Sequence, residues 1–419
     1  MHFSRTAKQW AWRAVLATLA ASAAPLVCAA PTEILFVGNS YTFGRVDPVM
    51  RYNAANVHDL TAGFYAANPA GANPWEPHPW GGIAGIFKQF TVQKGLDYDV
   101  SISARNAASL RGHFLNTANA AWDLRGNIAS KKWDVVVLQE QSDAALPAGK
   151  GKNANPAQFA AYANKIEQFI HNGAAQTYTE TQLYGSLAAC QATGATATTC
   201  NTVRAIPQNF NASAATKVYL TETWARPDMV YAHLVTTADT ASPTGSPVPD
   251  GTGTQATLYY NTLAGMTADL RTTIYGTAAA NGKFAGVVGA GDAFQLAYDQ
   301  GLVRTSGFYD ASGVFVPNVD GVMNLWWDDY LHASKYGSYL DALMQFGTIT
   351  GYDPRSLGAN EIAARDLGIS AANAQLLQQV AAQQLGMVPE PASVALVVLG
   401  LGLIGGTRAR RGRTAGNVR

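Results

Sequence analysis

Glu33-Ile34-Leu35-Phe36-Val37-Gly38-Asn39-Ser40-Tyr41-Thr42 is the stretch whose reading decides the fold. Four consecutive apolar residues followed by Gly-Asn-Ser read as a strand buried on both faces that ends in a tight turn, with Ser40 at the start of the next helix. Similar runs recur at Tyr98 to Ser103, Asp134 to Leu138, Lys217 to Leu220 and Phe284 to Val288. Between and after them, helical spacing is found at Ala84 to Gln93, Ala157 to Asn172, Thr257 to Tyr275, Tyr336 to Phe346 and Ser370 to Leu385. Short apolar strands alternating with helices predict an α/β chain, a parallel sheet in a three-layer α/β/α sandwich with right-handed crossovers.

A strand terminus is where an α/β protein exposes a reactive group, so Ser40 is the candidate nucleophile. It needs a base, and Asp329-Tyr330-Leu331-His332 supplies one with a carboxylate three residues away, close enough for one loop to deliver both. The other histidines of the body, His58, His78, His113, His171 and His233, have no comparable motif around them. Asp328 is the competing carboxylate, and a helix start at Ser40 would favour developing negative charge.

The order of these motifs resembles the SGNH hydrolases, the branch of GDSL-type esterases with a Gly-x-Ser block near the start and Asp-x-x-His in the last block. The resemblance spans roughly residues 32 to 350. Gly38-Asn39-Ser40-Tyr41-Thr42, Val137-Leu138-Gln139-Glu140-Gln141-Ser142 and Thr223-Trp224-Ala225 are similar to a bacterial subgroup in which the usual Gly-x-Asn-Asp block is replaced. It implies a five-stranded, flavodoxin-like parallel sheet, a catalytic triad of Ser40, His332 and Asp329, and an acyl-enzyme mechanism requiring no metal or cofactor. It also implies an oxyanion hole built from the Ser40 N–H, a backbone donor after the second strand, here at Ala108, and a side-chain amide after the third. Gln139 and Gln141 are both candidates for that amide. Asp328 falls one residue outside the family spacing.

Both ends of the chain read as targeting segments. Residues 1–30 carry Arg5, Lys8 and Arg13, an apolar stretch from Ala14 to Val27, and small residues before Pro31, the layout of a secretory signal peptide. Lipidation of Cys28 is the weaker reading because Val27 is larger than the residue expected there. Residues 387–419 contain Val388-Pro389-Glu390-Pro391, the apolar run Val394 to Ile404, and Arg408, Arg410, Arg411 and Arg413. This resembles the PEP-CTERM sorting signal, which implies export, recognition by an exosortase, and only transient membrane association. The expected location is the cell surface, the outer membrane or the extracellular matrix. An ordinary C-terminal anchor is the alternative, and both readings put the body outside the cytoplasm.

The body, residues 31–386, reads as one hydrolase domain with insertions near 176–215 and 237–254, both expected to be surface loops. Removing the three basic residues of the leader and five arginines of the tail from 29 leaves 21, and removing Glu390 from 28 acidic residues leaves 27. That net charge near −6 argues against a nucleic-acid partner. Cys190 and Cys200 remain as an even pair in an exported chain, a candidate disulfide. Trp224, Trp326 and Trp327 are candidates either for stacking on a sugar or for the core, and His113 for the acyl site or a partly exposed helix face. The expected substrate is an acyl ester, first an O-acetyl group on polysaccharide, with lipid or simple acyl esters as the alternative. A non-enzymatic matrix protein on the same scaffold is the competing class.

Overall fold

The apolar run at the start of the body forms strand β1, Thr32–Gly38, whose residues from Ile34 onward are all buried. It pairs in parallel with two strands: β3, Tyr98–Ala104, on one side and β4, Val135–Gln139, on the other, with β2, His58–Asp59, at the edge beyond β3. Strands β5, Lys217–Thr221, and β6, Gly286–Val288, extend the sheet past β4. These relations come from a computed structural model that describes residues 30–67, 76–117, 122–235, 253–319 and 321–387. The predicted signal peptide and sorting tail lie outside the described residues, as does most of the 237–254 insertion, whose flanks Leu234–Val235 and Thr254–Gln255 pair antiparallel.

The strand order is β6-β5-β4-β1-β3-β2, and every pairing in the sheet is parallel. Setting the two-residue edge strand aside, the remaining five follow the 2-1-3-4-5 order of a flavodoxin-like sheet. The sixth strand was not anticipated, because two residues are too short for an apolar pattern to register. Order reverses between β1 and β4. Ligands of open α/β sheets gather at such a reversal, at the carboxyl ends of the strands. Ser40 follows β1 there, and Gln139 closes β4.

Helices cover the sheet. After α1, Ser40–Phe43, the main elements are α2, Gly82–Gln93; α3, Leu110–Leu115; α4, Pro156–His171; α5, Leu263–Asn281; α6, Ala290–Asp299; α7, Lys335–Thr350; and α8, Ala371–Gln384. Helix α7 packs against α2, α6 and α8, while α4 packs against α3 and α5. Gly82, at φ 57°, lets α2 start directly against the backbone of Phe43, where a Cβ would come within 2.6 Å. Helix α5 begins six residues later than its periodicity suggested. The Thr262 hydroxyl caps it by accepting from the Gly265 N–H, and the preceding N–H groups of Tyr259 and Tyr260 are turned to the Met229 carbonyl instead.

The 176–215 insertion is folded, not a surface loop. Gln176–Thr179 and Val203–Ile206 pair antiparallel around three single-turn helices, and Cys190 and Cys200 are joined in a disulfide with Cα atoms 5.9 Å apart. Glu180 anchors it: its carboxylate takes Arg111 and Arg204 and the Tyr162 hydroxyl at 2.6 Å. Burial disfavours that charge, but the two arginines and the tyrosine outweigh it and pull the Glu180 carboxyl down to about 2. Thr/Ala-rich composition reads as loop because an anchor of this kind is supplied by residues distant in sequence.

Candidate active site

The turn at Ser40 is held from below. Asn39 caps α1 with its side-chain oxygen on the Tyr41 N–H (3.1 Å), donates from Nδ2 to the Ala108 carbonyl (3.0 Å), and gives its own N–H to Gln139 Oε1 (3.2 Å). Thr42 Oγ1 donates to the same Gln139 oxygen at 2.9 Å. Gly38 is required by this crowding, since a Cβ there would lie 2.1 Å from Thr42 Oγ1 and 2.5 Å from Gln139 Oε1. Helix α1 is a single turn, so the contribution expected from a helix dipole at Ser40 shrinks to the local N–H groups.

The partner loop is a hairpin. Trp326 bridges Ala333, and the Trp327 N–H donates to the His332 carbonyl at 2.8 Å. At its tip, Asp329 Oδ2 meets His332 Nδ1 at 2.6 Å, while Oδ1 accepts the N–H groups of Leu331 (3.0 Å) and His332 (2.8 Å). The other ring nitrogen, Nε2, lies 2.9 Å from Ser40 Oγ. Burial opposes the Asp329 charge, yet the adjacent imidazole and the two backbone donors overcome it and hold the carboxyl below its ordinary range. Asp328 is turned away and accepts from the Asn318 N–H at 3.3 Å. Tyr330 occupies the left-handed region at φ 52°, a conformation disfavoured for a side chain of this size. Its ring, packed edge-on against Phe308 and Tyr309, and a 2.9 Å bond from Arg304 hold it there.

Sequence reasoning missed the device that fixes this hairpin over the nucleophile. The Tyr41 hydroxyl (2.8 Å) and Trp224 Nε1 (3.1 Å) both donate to the carbonyl of Leu331, the residue before His332. The two rings are stacked, centroids 4.0 Å apart and 6° from parallel, and Phe294 stacks on the far side of Trp224 at 4.8 Å. Both residues sit in motifs singled out above, so the signal was present. What it did not carry was the contact, across 290 positions in one case and 107 in the other.

The expected oxyanion donors are only partly placed. As the first residue of α1, Ser40 has an N–H with no partner inside the helix. The Ala108 N–H is instead spent in a turn, donating to the Arg105 carbonyl at 3.1 Å, and Ala107 beside it takes a glycine-like φ of 55°. Gln139 also has structural partners. It is buried, its oxygen carries the nucleophile turn, and its Nε2 donates to the Glu140 carbonyl. Gln141 is half-buried, with Nε2 3.3 Å from Ser142 Oγ and Oε1 accepting the Asp143 N–H at 3.3 Å, and its side chain also hydrogen-bonds the Asp143 carboxylate. Between them Glu140 ties the blocks together, one oxygen accepting from the N–H groups of Leu110 (3.0 Å) and Gln141 (2.7 Å). Burial pushes its carboxyl up to about 7 despite those two donors.

Among the other candidates, His113 is buried, not partly exposed, and burial together with Arg105 pushes its imidazole down to about 3. His58, His78 and His171 each pair with a carboxylate, Asp99, Asp59 and Glu167 respectively, so a His-carboxylate pair alone does not single out the base. What distinguishes His332 is the serine at its second nitrogen. Trp224 and Trp326 are core residues, each 1% exposed, while Trp327 is partly exposed. Among the described residues no group of three His, Cys, Asp or Glu side chains is arranged to hold a metal ion.

Residues 388–413 match the family model of the PEP-CTERM protein-sorting motif. No curated protein matches the chain. Among solved structures it is similar to an SGNH hydrolase from Slackia heliotrinireducens, at 16% identity and a TM-score of 0.35, covering 76% of this chain and 99% of that one. A GDSL-like lipase from Parabacteroides merdae matches at 12% identity and 0.37, covering 77% and 96%. Phospholipase A1 from Streptomyces albidoflavus matches at 13% and 0.32, covering 77% and 99%. None of these likenesses reaches a TM-score of 0.5, so the chemistry of the site rests on this chain's own residues.

Proposed function

We propose that this chain is an exported serine esterase of the SGNH type whose substrate is an acyl ester, foremost an O-acetyl group on a polysaccharide. The observation that carries the reading is the continuous path from Ser40 Oγ through His332 to Asp329, at 2.9 and 2.6 Å. Ser40 Oγ attacks the ester carbonyl carbon as its proton passes to His332 Nε2, and Asp329 stabilises the imidazolium. The tetrahedral oxyanion faces the Ser40 N–H, with the Gln141 amide as the second donor. His332 then gives its proton to the departing alkoxide, leaving acyl-Ser40. Water, deprotonated by the same imidazole, adds to the acyl carbon, and collapse releases the acid and regenerates Ser40.

The sorting motif at 388–413 supports delivery outside the cytoplasm, with exosortase recognition and a surface, outer-membrane or matrix destination. A second reading, a binding scaffold without turnover, draws on the Ala108 N–H, which is committed to the Arg105 carbonyl. A serine-directed phosphonate and a p-nitrophenyl ester series, run beside Ser40→Ala, separate them. Stoichiometric labelling with acetate preferred over long acyl chains supports the deacetylase. Preference for long chains moves the substrate to lipids, and absence of both labelling and turnover in folded protein leaves the scaffold.

A further inference from the structure

A cleft of about 260 Å³ opens beside the catalytic hairpin, between Val46–Pro48 on one side and Asn318, Val319, Val322, Asn324, Trp327 and Tyr336 on the other. Its near wall begins three residues after the nucleophile turn. Its far wall includes Trp327, the residue paired with His332 in the hairpin, and side chains of directly opposed residues emerge on the same face of such a pair. The cleft therefore lies next to the hairpin that carries the base, sharing Trp327 with it.

We propose that this cleft is the subsite for the alcohol side of the ester and takes a neutral pyranose ring, with Trp327 as its stacking platform. The inference rests on the esterase reading for calling the sugar a leaving group, but not for the sugar binding itself. The lining selects among ligands. An acyl chain would have to lie among polar residues: Asp47, ion-paired with Arg51, and Asn318, whose side-chain oxygen accepts from Asn324 Nδ2. Among the described residues an anion finds no uncommitted cation here: Arg51 is paired with Asp47, and Lys335 donates to the Gly368 carbonyl at 2.7 Å and lies 5.3 Å from the Tyr336 ring centroid. A pyranose presents an apolar C–H face to an aromatic ring and hydroxyls to acids and amides, which is the combination found here. Val319 and Val322, 62% and 45% exposed, form an apolar lip at the mouth.

The test uses the full chain carrying Ser40→Ala, titrated with cellohexaose and xylohexaose and read by calorimetry and tryptophan fluorescence. At least one hexaose is expected to bind and to change the fluorescence. Trp327→Ala and, independently, Val319→Arg should each weaken that binding at least tenfold; the second lies at an exposed position where folding is not at stake. Binding of neither hexaose, or equal affinity in the parent and both variants, overturns the subsite. Phosphonate labelling of the unmutated chain tests the esterase reading separately. Labelling without sugar binding retains the esterase and removes the subsite, while sugar binding without labelling retains the subsite and removes the esterase.

Discussion

Replacing Asp329 by asparagine isolates the orienting role of the carboxylate, because the fold itself decides how the amide must sit. Asp329 Oδ1 accepts two backbone N–H groups, from Leu331 and His332, and an asparagine keeps those bonds only with its oxygen in that place. The NH2 group then faces His332 Nδ1, which becomes the acceptor, and Nε2 carries the proton toward Ser40. In that tautomer His332 cannot act as base. Flipping the amide to restore the tautomer forfeits two hydrogen bonds of about 1 to 1.5 kcal/mol each. The imidazolium formed in the transition state also loses a charge-assisted partner worth about 1.5–3 kcal/mol. The sum, about 3.5–6 kcal/mol, corresponds to a loss of roughly 400- to 20,000-fold in rate. Asp329→Asn should therefore fold normally by circular dichroism and thermal denaturation while kcat/KM on p-nitrophenyl acetate falls by that factor. A folded variant within tenfold of the parent would refute the assignment of Asp329.

Removing the Tyr41 hydroxyl (Tyr41→Phe) should lower stability by about 0.5–1.5 kcal/mol in urea denaturation, since Trp224 still holds the Leu331 carbonyl. The same change should lower kcat more than it raises KM, whereas a merely structural residue would leave kcat unchanged at equal folded fraction. Gly38→Ala should cost about 1–3 kcal/mol, because its Cβ must displace the Thr42 to Gln139 bond, and phosphonate labelling of Ser40 should slow in parallel. Burial raises Glu140 and Asp341 to about 7 and Glu222 to about 8, so the folded state holds protons that the unfolded state has lost. Their contribution is present below the unfolded carboxyl range and is lost as pH rises through those values, by up to about 1.4 kcal/mol per pH unit for each group still protonated. His113, held down near 3, opposes them only below about 6.5. The urea midpoint should fall between pH 6.5 and 8, and Glu222→Gln should flatten the upper part of that limb; a midpoint rising over this interval would contradict it.

Much of this molecule is written in local pattern. The five buried strands announce themselves because a strand covered on both faces must be apolar throughout, and Ile34 to Val37 obeys that without exception. Ser40 and the Asp329 to His332 spacing were readable for a related reason: each is a short-range relation, a turn after a strand and two side chains on one loop. Cys190 and Cys200 belong to the same class. Where pattern failed, the deciding contact was distant. Thr/Ala-rich residues 176–215 fold because Arg111 and Tyr162 reach Glu180, and Gln139 braces the nucleophile turn because Asn39 and Thr42, about 100 positions earlier, donate to its oxygen. His332 stands over Ser40 because Tyr41 and Trp224 converge on one carbonyl. Sequence by itself determined which groups could react and which segments had to be buried. Only the tertiary structure decided which polar atoms are free to react, because a buried donor or acceptor must find a partner wherever the chain brings one, and periodicity does not record that choice.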